Sequence, residues 1–149
     1  MNRSNWCWIN PVEIIFRTGG FEDFIKKLSY RKVALVTTKG FRERGMVEKI
    51  EILLGTKLAS ILDSVQPNPS IDSIIEFGIS LRKNKPDCLL AIGGGSAIDS
   101  AKGIARVLGE DTSWSLRDHL VAQNPIVNGN KIPIIAIPTT AGTGAEVTS

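Results

Sequence analysis

The chain has 149 residues, of which 42% are hydrophobic and 22% charged, and its formal net charge is +3. This composition is that of an ordinary globular protein, so it excludes a disordered chain and predicts one domain with a buried core. The basic residues occur in separated pairs, such as Lys26-Lys27 and Arg82-Lys83, and not in one cluster. That distribution argues against a nucleic-acid-binding surface.

The cysteine content and the hydropathy argue against a disulfide-rich, zinc-binding, secreted or membrane protein. Cys7 and Cys88 are too few for a disulfide scaffold, and no CxxC or paired Cys/His spacing indicates a zinc site. Cys88 opens an apolar run, where we interpret it as a small buried hydrophobe. The N-terminus lacks a signal-peptide pattern, and no apolar run approaches membrane-spanning length. We therefore expect a cytoplasmic protein that does not bind membranes.

The first part of the chain predicts strands at residues 12–16, 33–37 and, more weakly, 58–62. Helical spacing of apolar residues predicts helices at residues 21–28 and 44–54, the second one ending at Gly55.

The second part repeats the alternation of helix and strand. Prolines mark a loop at residues 65–69, and Ser70 is the predicted N-cap of a helix that runs to about residue 84. The inward-facing side chains of this helix are predicted to be Ile71, Ile74, Ile75, Ile79 and Leu81. A strand at 88–92, a helix at 96–108, a short helix near 116–121 and a strand at 132–137 complete the pattern.

Strands that alternate with helices, and that are apolar on both faces, predict an α/β fold with a Rossmann-like parallel sheet covered by helices on both sides. We see no internal repeat and no low-complexity segment in the chain.

Three consecutive glycines, residues 93–95, lie between a predicted buried strand and a helix that starts at once. Glycine lets the backbone approach a ligand closely, and the N-terminus of a helix favours an anion such as a pyrophosphate. An ordinary strand-to-helix turn is the alternative, although it does not need three glycines. The spacing is not GxGxxG, and no lysine-serine/threonine pair follows, which argues against a P-loop.

Asp99 and Lys102 lie three residues apart on the first turns of this helix. They could form a surface ion pair of little consequence, and Asp99 could simply favour the helix dipole. A carboxylate beside a phosphate site could instead bind ribose or amide groups of a cofactor.

A second motif, residues 138–148, follows the last predicted strand and contains four threonines and two glycines. Threonine-rich loops often serve only as caps and turns. Two such loops at the ends of parallel strands, however, would face the crevice in which open α/β sheets bind ligands.

The run Gly93-Gly94-Gly95-Ser96-x-x-Asp99-x-Ala101-Lys102 resembles the signature of the iron-containing alcohol dehydrogenases. Residues 138–148, Pro-Thr-Thr-Ala-Gly-Thr-Gly-Ala-Glu-Val-Thr, are similar to a second block of that family, and Pro67-Asn68-Pro69-Ser70 resembles its Pro-Asn-Pro-Thr element. The order and spacing of the three motifs agree, and the resemblance covers the chain from about Ile14 to Ser149.

The resemblance implies a two-domain enzyme whose N-terminal domain, residues 1–149 here, binds NAD or NADP. By position, Gly94, Gly95 and Ser96 would hold the pyrophosphate, and Asn68 would lie along the adenosine side.

The same resemblance assigns the threonines of the second motif to the cofactor cleft near the nicotinamide: Thr139, Thr140, Thr143 and Thr148. Asp99 would lie close to the cofactor and the substrate pocket, and it is the candidate catalytic residue.

The chain departs from the family pattern at two positions. Thr38 stands where NAD-preferring members usually carry an aspartate that binds the adenosine ribose, and Ala145 replaces the usual serine. Threonine lacks the charge that repels a 2′-phosphate, and Lys39, Arg42 and Arg44 follow it. We therefore predict that NADP is accepted, alone or alongside NAD.

The family binds a divalent metal, Fe²⁺ or Zn²⁺, through an aspartate and three histidines in later sequence. His119 matches none of those positions, so we expect no metal ligand in this chain and a helical metal-binding domain beyond it. Because the sequence ends at Ser149, inside the second block, we expect a fragment that is inactive alone.

The resemblance implies an NAD(P)-dependent alcohol dehydrogenase or aldehyde reductase, a homodimer at full length, that acts on a small alcohol or aldehyde. Two alternatives stay open: a glycerol dehydrogenase or dehydroquinate synthase of the same superfamily, and a non-catalytic nucleotide-binding module.

Overall fold

The computed structural model describes residues 10, 12–109, 116–117, 121 and 132–148. Cys7, His119 and most of the short helix predicted near residues 116–121 lie outside the described residues.

The described strands form one parallel sheet. They are β1 (Val33–Val36), β2 (Leu58–Leu62), β3 (Cys88–Gly93) and β4 (Ile134–Pro138), and their spatial order is β2-β1-β3-β4. All the strand pairs, β1 with β2, β1 with β3 and β3 with β4, are parallel. The α/β prediction with a Rossmann-like parallel sheet is confirmed.

The described helices are α1 (Phe21–Lys26), α2 (Lys39–Glu43), α3 (Met46–Leu54), α4 (Ile71–Arg82) and α5 (Gly95–Gly109). Helix α2 was not predicted. Gly45 separates it from α3 and has a φ of 71°, a left-handed conformation that glycine adopts without steric cost. Short 3-10 turns follow α3 and β4, at Gly55–Lys57 and Ala145–Val147.

Each face of the sheet has its own hydrophobic core. On β1, Val33 and Leu35 pack with α1, α2 and α3, whereas Ala34 and Val36 pack with α4 and α5. This alternation follows from the twofold period of side chains along a strand. Because both faces are covered, β1 and β3 are buried along their whole length, as their continuous apolar runs predicted.

Helix α4 begins as predicted, because the Ser70 hydroxyl oxygen accepts a hydrogen bond from the backbone N–H of Ser73 at 3.1 Å. Its buried residues are Ile74, Gly78 and Leu81. The prediction that Ile79 faces inward is wrong, since Ile79 is 56% exposed. It lies five residues from Ile74 and therefore away from the stripe that i, i+4 and i+7 spacing directs to the core.

The prediction of a strand at residues 12–16 is also wrong. These residues form no strand, and Ile14 and Phe16 are 72% and 97% exposed. Alternating or apolar composition fits a strand, but a strand forms only where a neighbouring strand supplies hydrogen-bond partners. Among the described strands, β4 pairs with β3 and none pairs with this segment.

Within the described residues, no helix combines the length and the apolar character needed to cross a bilayer.

Candidate functional site

The strand order reverses between β1 and β3, because β2 lies on one side of β1 and β3 on the other. In open parallel sheets this reversal opens a crevice at the carboxyl ends of the strands, where ligands bind. Thr37, directly after β1, is buried at this point and its hydroxyl donates to the Ile92 carbonyl oxygen at 2.6 Å. Its N–H donates to the Leu62 carbonyl at 2.7 Å. Thr37 therefore fastens the ends of three strands beneath the crevice.

The glycine loop follows β3 and turns directly into α5. Gly93 has a φ of 153°, and a Cβ there would lie 2.8 Å from the Ala97 Cβ. Both the conformation and the close approach require glycine at Gly93. Gly94 and Gly95 have no positive φ, so whether a side chain fits at these two positions depends only on the space around them.

The threonine loop after β4 lies against the glycine loop. The Thr139 N–H donates to the Gly93 carbonyl at 2.9 Å. A Cβ at Gly94 would lie 2.9 Å from Thr140 Oγ1, and a Cβ at Gly95 would lie 3.6 Å from the Thr143 Cβ. The prediction that both loops share one crevice is confirmed.

The N-terminus of α5 opens into this crevice. The earliest donors in the helix are the N–H groups of Ala97 and Ile98, which both bond to the Gly94 carbonyl, at 3.1 and 3.2 Å. The N–H groups of Gly95 and Ser96 come before them, at positions where helix geometry provides no acceptor. Such groups, together with the dipole of a 15-residue helix, favour an anion.

The proline loop joins the same site. The Asn68 N–H donates to the Ser96 hydroxyl oxygen at 3.4 Å. Asn68 has a φ of 52°, a left-handed conformation that asparagine tolerates better than most residues. The structure thus brings the three motifs of the sequence together around the start of α5.

Asp99 and Thr148 are joined by Lys102. The Lys102 ammonium lies 3.4 Å from Asp99 Oδ1 and donates to Thr148 Oγ1 at 2.6 Å. The Thr148 hydroxyl also donates a long hydrogen bond to the Ala145 carbonyl oxygen, at 3.4 Å. The Asp99–Lys102 pair is therefore part of a link between α5 and the end of the threonine loop.

Thr38 lies at the end of β1 and precedes α2, with no side-chain cap to that helix. Arg42 forms ion pairs with Asp63 and Glu48, and its guanidinium Nη1 lies 3.2 Å from Glu48 Oε1. Lys39 pairs with the exposed Glu43 at 3.4 Å. Of the cations predicted near a 2′-phosphate, Arg42 is thus already held by two carboxylates.

The sequence analysis did not predict the buried hydrogen bonds of Thr37 or the ion pair between Arg42 and Asp63. The position of Asp63, directly after the weak β2 pattern, was a usable signal, because the carboxyl end of each parallel strand faces the same edge. Nothing local indicated its partner, which lies 21 residues earlier in the chain.

Beside the site, a cleft of about 1020 Å³ extends along β4 and α1. Its polar lining includes Lys102, Glu146 and Thr148, and its apolar lining includes Phe24 and Ile135. One carboxylate oxygen of Glu146 is buried and has no hydrogen-bond partner among the described residues.

Cys88 is the buried hydrophobe that its apolar run predicted. Burial raises the pKa of its thiol to about 12, with a smaller contribution from the nearby Asp87 carboxylate. Among the described residues, no group of three or more His, Cys, Asp or Glu side chains could hold a metal ion.

Residues 11–149 match the family model described as iron-containing alcohol dehydrogenase. The chain belongs to the iron-containing alcohol dehydrogenase family. It is 38% identical, over 133 residues and 87% of its length, to the lactaldehyde reductase of Escherichia coli strain K12.

Solved structures of other dehydrogenases and reductases share the fold. The sulfoacetaldehyde reductase of Bifidobacterium kashiwanohense, in complex with NAD⁺, superposes with a TM-score of 0.82 at 30% identity over 97% of the chain. The NADH-dependent butanol dehydrogenase A of Thermotoga maritima superposes with a TM-score of 0.75 at 26% identity over 94% of the chain.

The chain spans about a third of the length of these relatives. It covers 34% of the lactaldehyde reductase, 38% of the sulfoacetaldehyde reductase and 36% of the butanol dehydrogenase.

Proposed function

We propose that this chain is the cofactor-binding part of an NAD(P)-dependent alcohol dehydrogenase or aldehyde reductase. The observation that carries the proposal is the crevice at the strand reversal, where the glycine loop, the start of α5 and the threonine loop meet. A dinucleotide pyrophosphate needs donors at a helix N-terminus and a backbone without side chains, and this crevice offers both.

Within this site each group has a separate task. The amides of Gly95 and Ser96 bind the pyrophosphate, and the absence of a side chain at Gly95 leaves room for it. Asn68 lies on the adenosine side. The hydroxyls of Thr140 and Thr143 border the opposite wall, toward the nicotinamide, and orient that ring by hydrogen bonds.

Asp99 is the candidate catalytic residue of this chain, close to the cofactor and the substrate pocket. When bound, the dinucleotide would carry the hydride, and a divalent metal would polarise the alcohol or carbonyl oxygen. The family resemblance assigns the metal ligands to a further domain, and the described residues here do not form a metal site.

The substrates we propose are small alcohols and aldehydes. The matched relatives are named for lactaldehyde, sulfoacetaldehyde and butanol, which all have a short carbon chain that carries an alcohol or aldehyde group. A homodimer at full length and a cytoplasmic location remain part of the proposal.

The test is the affinity of Gly95→Val for NAD⁺ and NADP⁺, measured by titration calorimetry. A Cβ at Gly95 makes only ordinary contacts with Thr143 and Asp99, so we expect the fold to be preserved, whereas the branched side chain would occupy the space proposed for the pyrophosphate. We expect the dissociation constant to rise at least about tenfold. Gly94→Val is a poorer test, because its Cβ would collide with Thr140 and disturb the loop pair itself.

The matched control is Ser80→Val, which adds the same side chain at an exposed position of α4. Unchanged cofactor affinity in a folded Gly95→Val variant would rule out the pyrophosphate site. Failure of the unsubstituted chain to bind either dinucleotide would overturn the proposed function as a whole.

A further inference from the structure

Lys102 is placed to connect the two halves of the crevice. It lies on α5 one turn beyond Asp99, and its side chain is only 21% exposed, which is low for a lysine. Its ammonium bonds to Thr148 Oγ1, a residue 46 positions later in the chain. Holding this long side chain in one conformation costs rotamer freedom, which its contacts with Asp99 and Thr148 offset.

The negative charge of Asp99 near the start of α5 would be unfavourable for an anionic ligand without a cation beside it. Asp99 Oδ2 would lie 3.8 Å from a Cβ at Gly95, so a carboxylate stands next to the proposed pyrophosphate position. An uncompensated negative charge there would offset the positive potential that the helix N-terminus presents to a ligand, and it would repel an anionic ligand. Lys102, 3.4 Å from the other oxygen of Asp99, compensates that charge.

The second bond of Lys102 has a mechanical consequence. Thr148 Oγ1 accepts from the ammonium at 2.6 Å and lies near the Ala145 carbonyl at 3.4 Å, so the end of the threonine loop is tied to α5. The other end of the loop is tied to the glycine loop by the Thr139 N–H bond to Gly93. With both ends fixed, Thr140 and Thr143 keep their places opposite the glycines.

We propose that Lys102 is a positioning residue of the nucleotide site, which neutralises Asp99 and fastens Thr148 to α5. This inference rests on the proposed function, and it adds a residue that acts through two others and does not touch the cofactor.

The experiment compares NAD⁺ dissociation constants of Lys102→Met, Lys102→Arg and the unsubstituted chain, with thermal unfolding recorded for each. Methionine keeps most of the length and removes the charge, so we expect the dissociation constant to rise about tenfold. Arginine keeps the charge and a donor, so affinity should stay within about threefold. Lys27→Met, at an exposed ion pair just after α1, is the matched control and should bind as the unsubstituted chain does.

The mechanism is tested by the double variant Asp99→Asn/Lys102→Met. If Lys102 acts by neutralising Asp99, the two losses are strongly non-additive, and the double variant binds NAD⁺ better than Lys102→Met. Additive losses would overturn the charge-compensation argument. Should Lys102→Met fail to fold, Thr148→Val removes the same tie without changing any charge, and unchanged affinity in that variant would overturn the tether.

The two proposals fail differently. If the unsubstituted chain binds NAD⁺ and Gly95→Val does not, while Lys102→Met binds normally, then Lys102 has no positioning role and the proposed function stands. If the unsubstituted chain binds no dinucleotide, the proposed function fails first.

Discussion

Thr38 places an uncharged side chain after β1, where we expect the adenosine ribose of a bound dinucleotide. A threonine hydroxyl can still accept or donate a hydrogen bond, but it does not repel a 2′-phosphate as an aspartate does. Arg42 is already paired with Asp63 and Glu48, whereas Lys39 is 79% exposed and pairs only with the exposed Glu43, so Lys39 is the cation more accessible to a 2′-phosphate.

We predict that the chain binds NADP⁺ as well as NAD⁺, and that Thr38→Asp shifts the preference toward NAD⁺. The new carboxylate should raise the dissociation constant of NADP⁺ at least about tenfold relative to that of NAD⁺. Calorimetric titration with both dinucleotides measures the ratio, and Thr38→Ser, which adds no charge, is the control. If the unsubstituted chain already rejects NADP⁺ by about a hundredfold or more, this interpretation of Thr38 is wrong.

At the scale of elements, α4 and α5 approach each other closely at a glycine. A Cβ at Gly78 would lie 2.5 Å from Val107 Cγ1 and 2.6 Å from its Cβ, and neither atom is the end of a flexible side chain. Residues of α4, α5 and the sheet share one hydrophobic core, and α5 carries the N-terminus that faces the crevice.

We predict that Gly78→Ala destabilises the chain by about 1–3 kcal/mol, because the added methyl group forces α4 and α5 apart. Urea unfolding measures the change. Gly40→Ala is the control, since its Cβ would meet only the far end of the Arg44 side chain, at 3.2 Å. A combined Gly78→Ala/Val107→Ala variant should recover part of the loss, and equal stability of Gly78→Ala and the parent chain would contradict the close contact.

Asp87 lies directly before β3, at the amino ends of the strands and so opposite the crevice. Its carboxylate accepts hydrogen bonds from the N–H groups of Arg31 and Lys32, both at 2.9 Å, and so ties the turn before β1 to the turn before β3. Burial alone would raise the pKa of Asp87, but these backbone bonds outweigh it and the pKa lies below its usual value.

We predict that Asp87→Asn lowers the free energy of unfolding by on the order of 1 kcal/mol at neutral pH. Because the pKa is lower in the folded state, the carboxylate stabilises the fold above its unfolded pKa near 3.8. That contribution is lost as the pH falls through the folded pKa. Urea unfolding of both proteins from pH 7 to pH 3 should show the difference narrowing in acid, and a difference that widens there would contradict the assignment.

At the scale of the whole molecule, the described residues contain the proposed cofactor crevice but no cluster of metal-ligating side chains. The crevice is built from β1, β3, β4 and α5, whereas the described His, Cys, Asp and Glu residues form no metal-binding group. The cleft beside the site, about 1020 Å³ in volume, is lined by Glu146 and by apolar side chains.

We predict that this chain binds dinucleotide but does not oxidise alcohols, with or without added Fe²⁺ or Zn²⁺. The reason is that the Lewis acid needed at the alcohol oxygen has no site among the described residues. Absorbance of reduced nicotinamide measures turnover, and calorimetry on the same preparation establishes that the crevice is intact. Alcohol-dependent formation of reduced cofactor above a protein-free control would show that the active site lies within this chain.

Local sequence determined much of this fold, because the signals act over a few residues. The continuous apolar runs of β1 and β3, the Ser70 cap of α4 and the glycine turn into α5 were all readable from the chain alone. The shared position of the glycine and threonine loops followed as well, since parallel strands end at one edge. The membership of the family was visible in three short motifs.

Only the tertiary structure decided which segments found partners. Residues 12–16 have the composition of a strand and pair with none of the described strands, and Ile79, predicted to face inward on α4, is exposed. The ties from Arg42 to Asp63 and from Lys102 to Thr148 join residues 21 and 46 positions apart. Periodicity and turn chemistry specify conformation within one element, whereas strand pairing, burial and ion pairs depend on which elements the folded chain brings together.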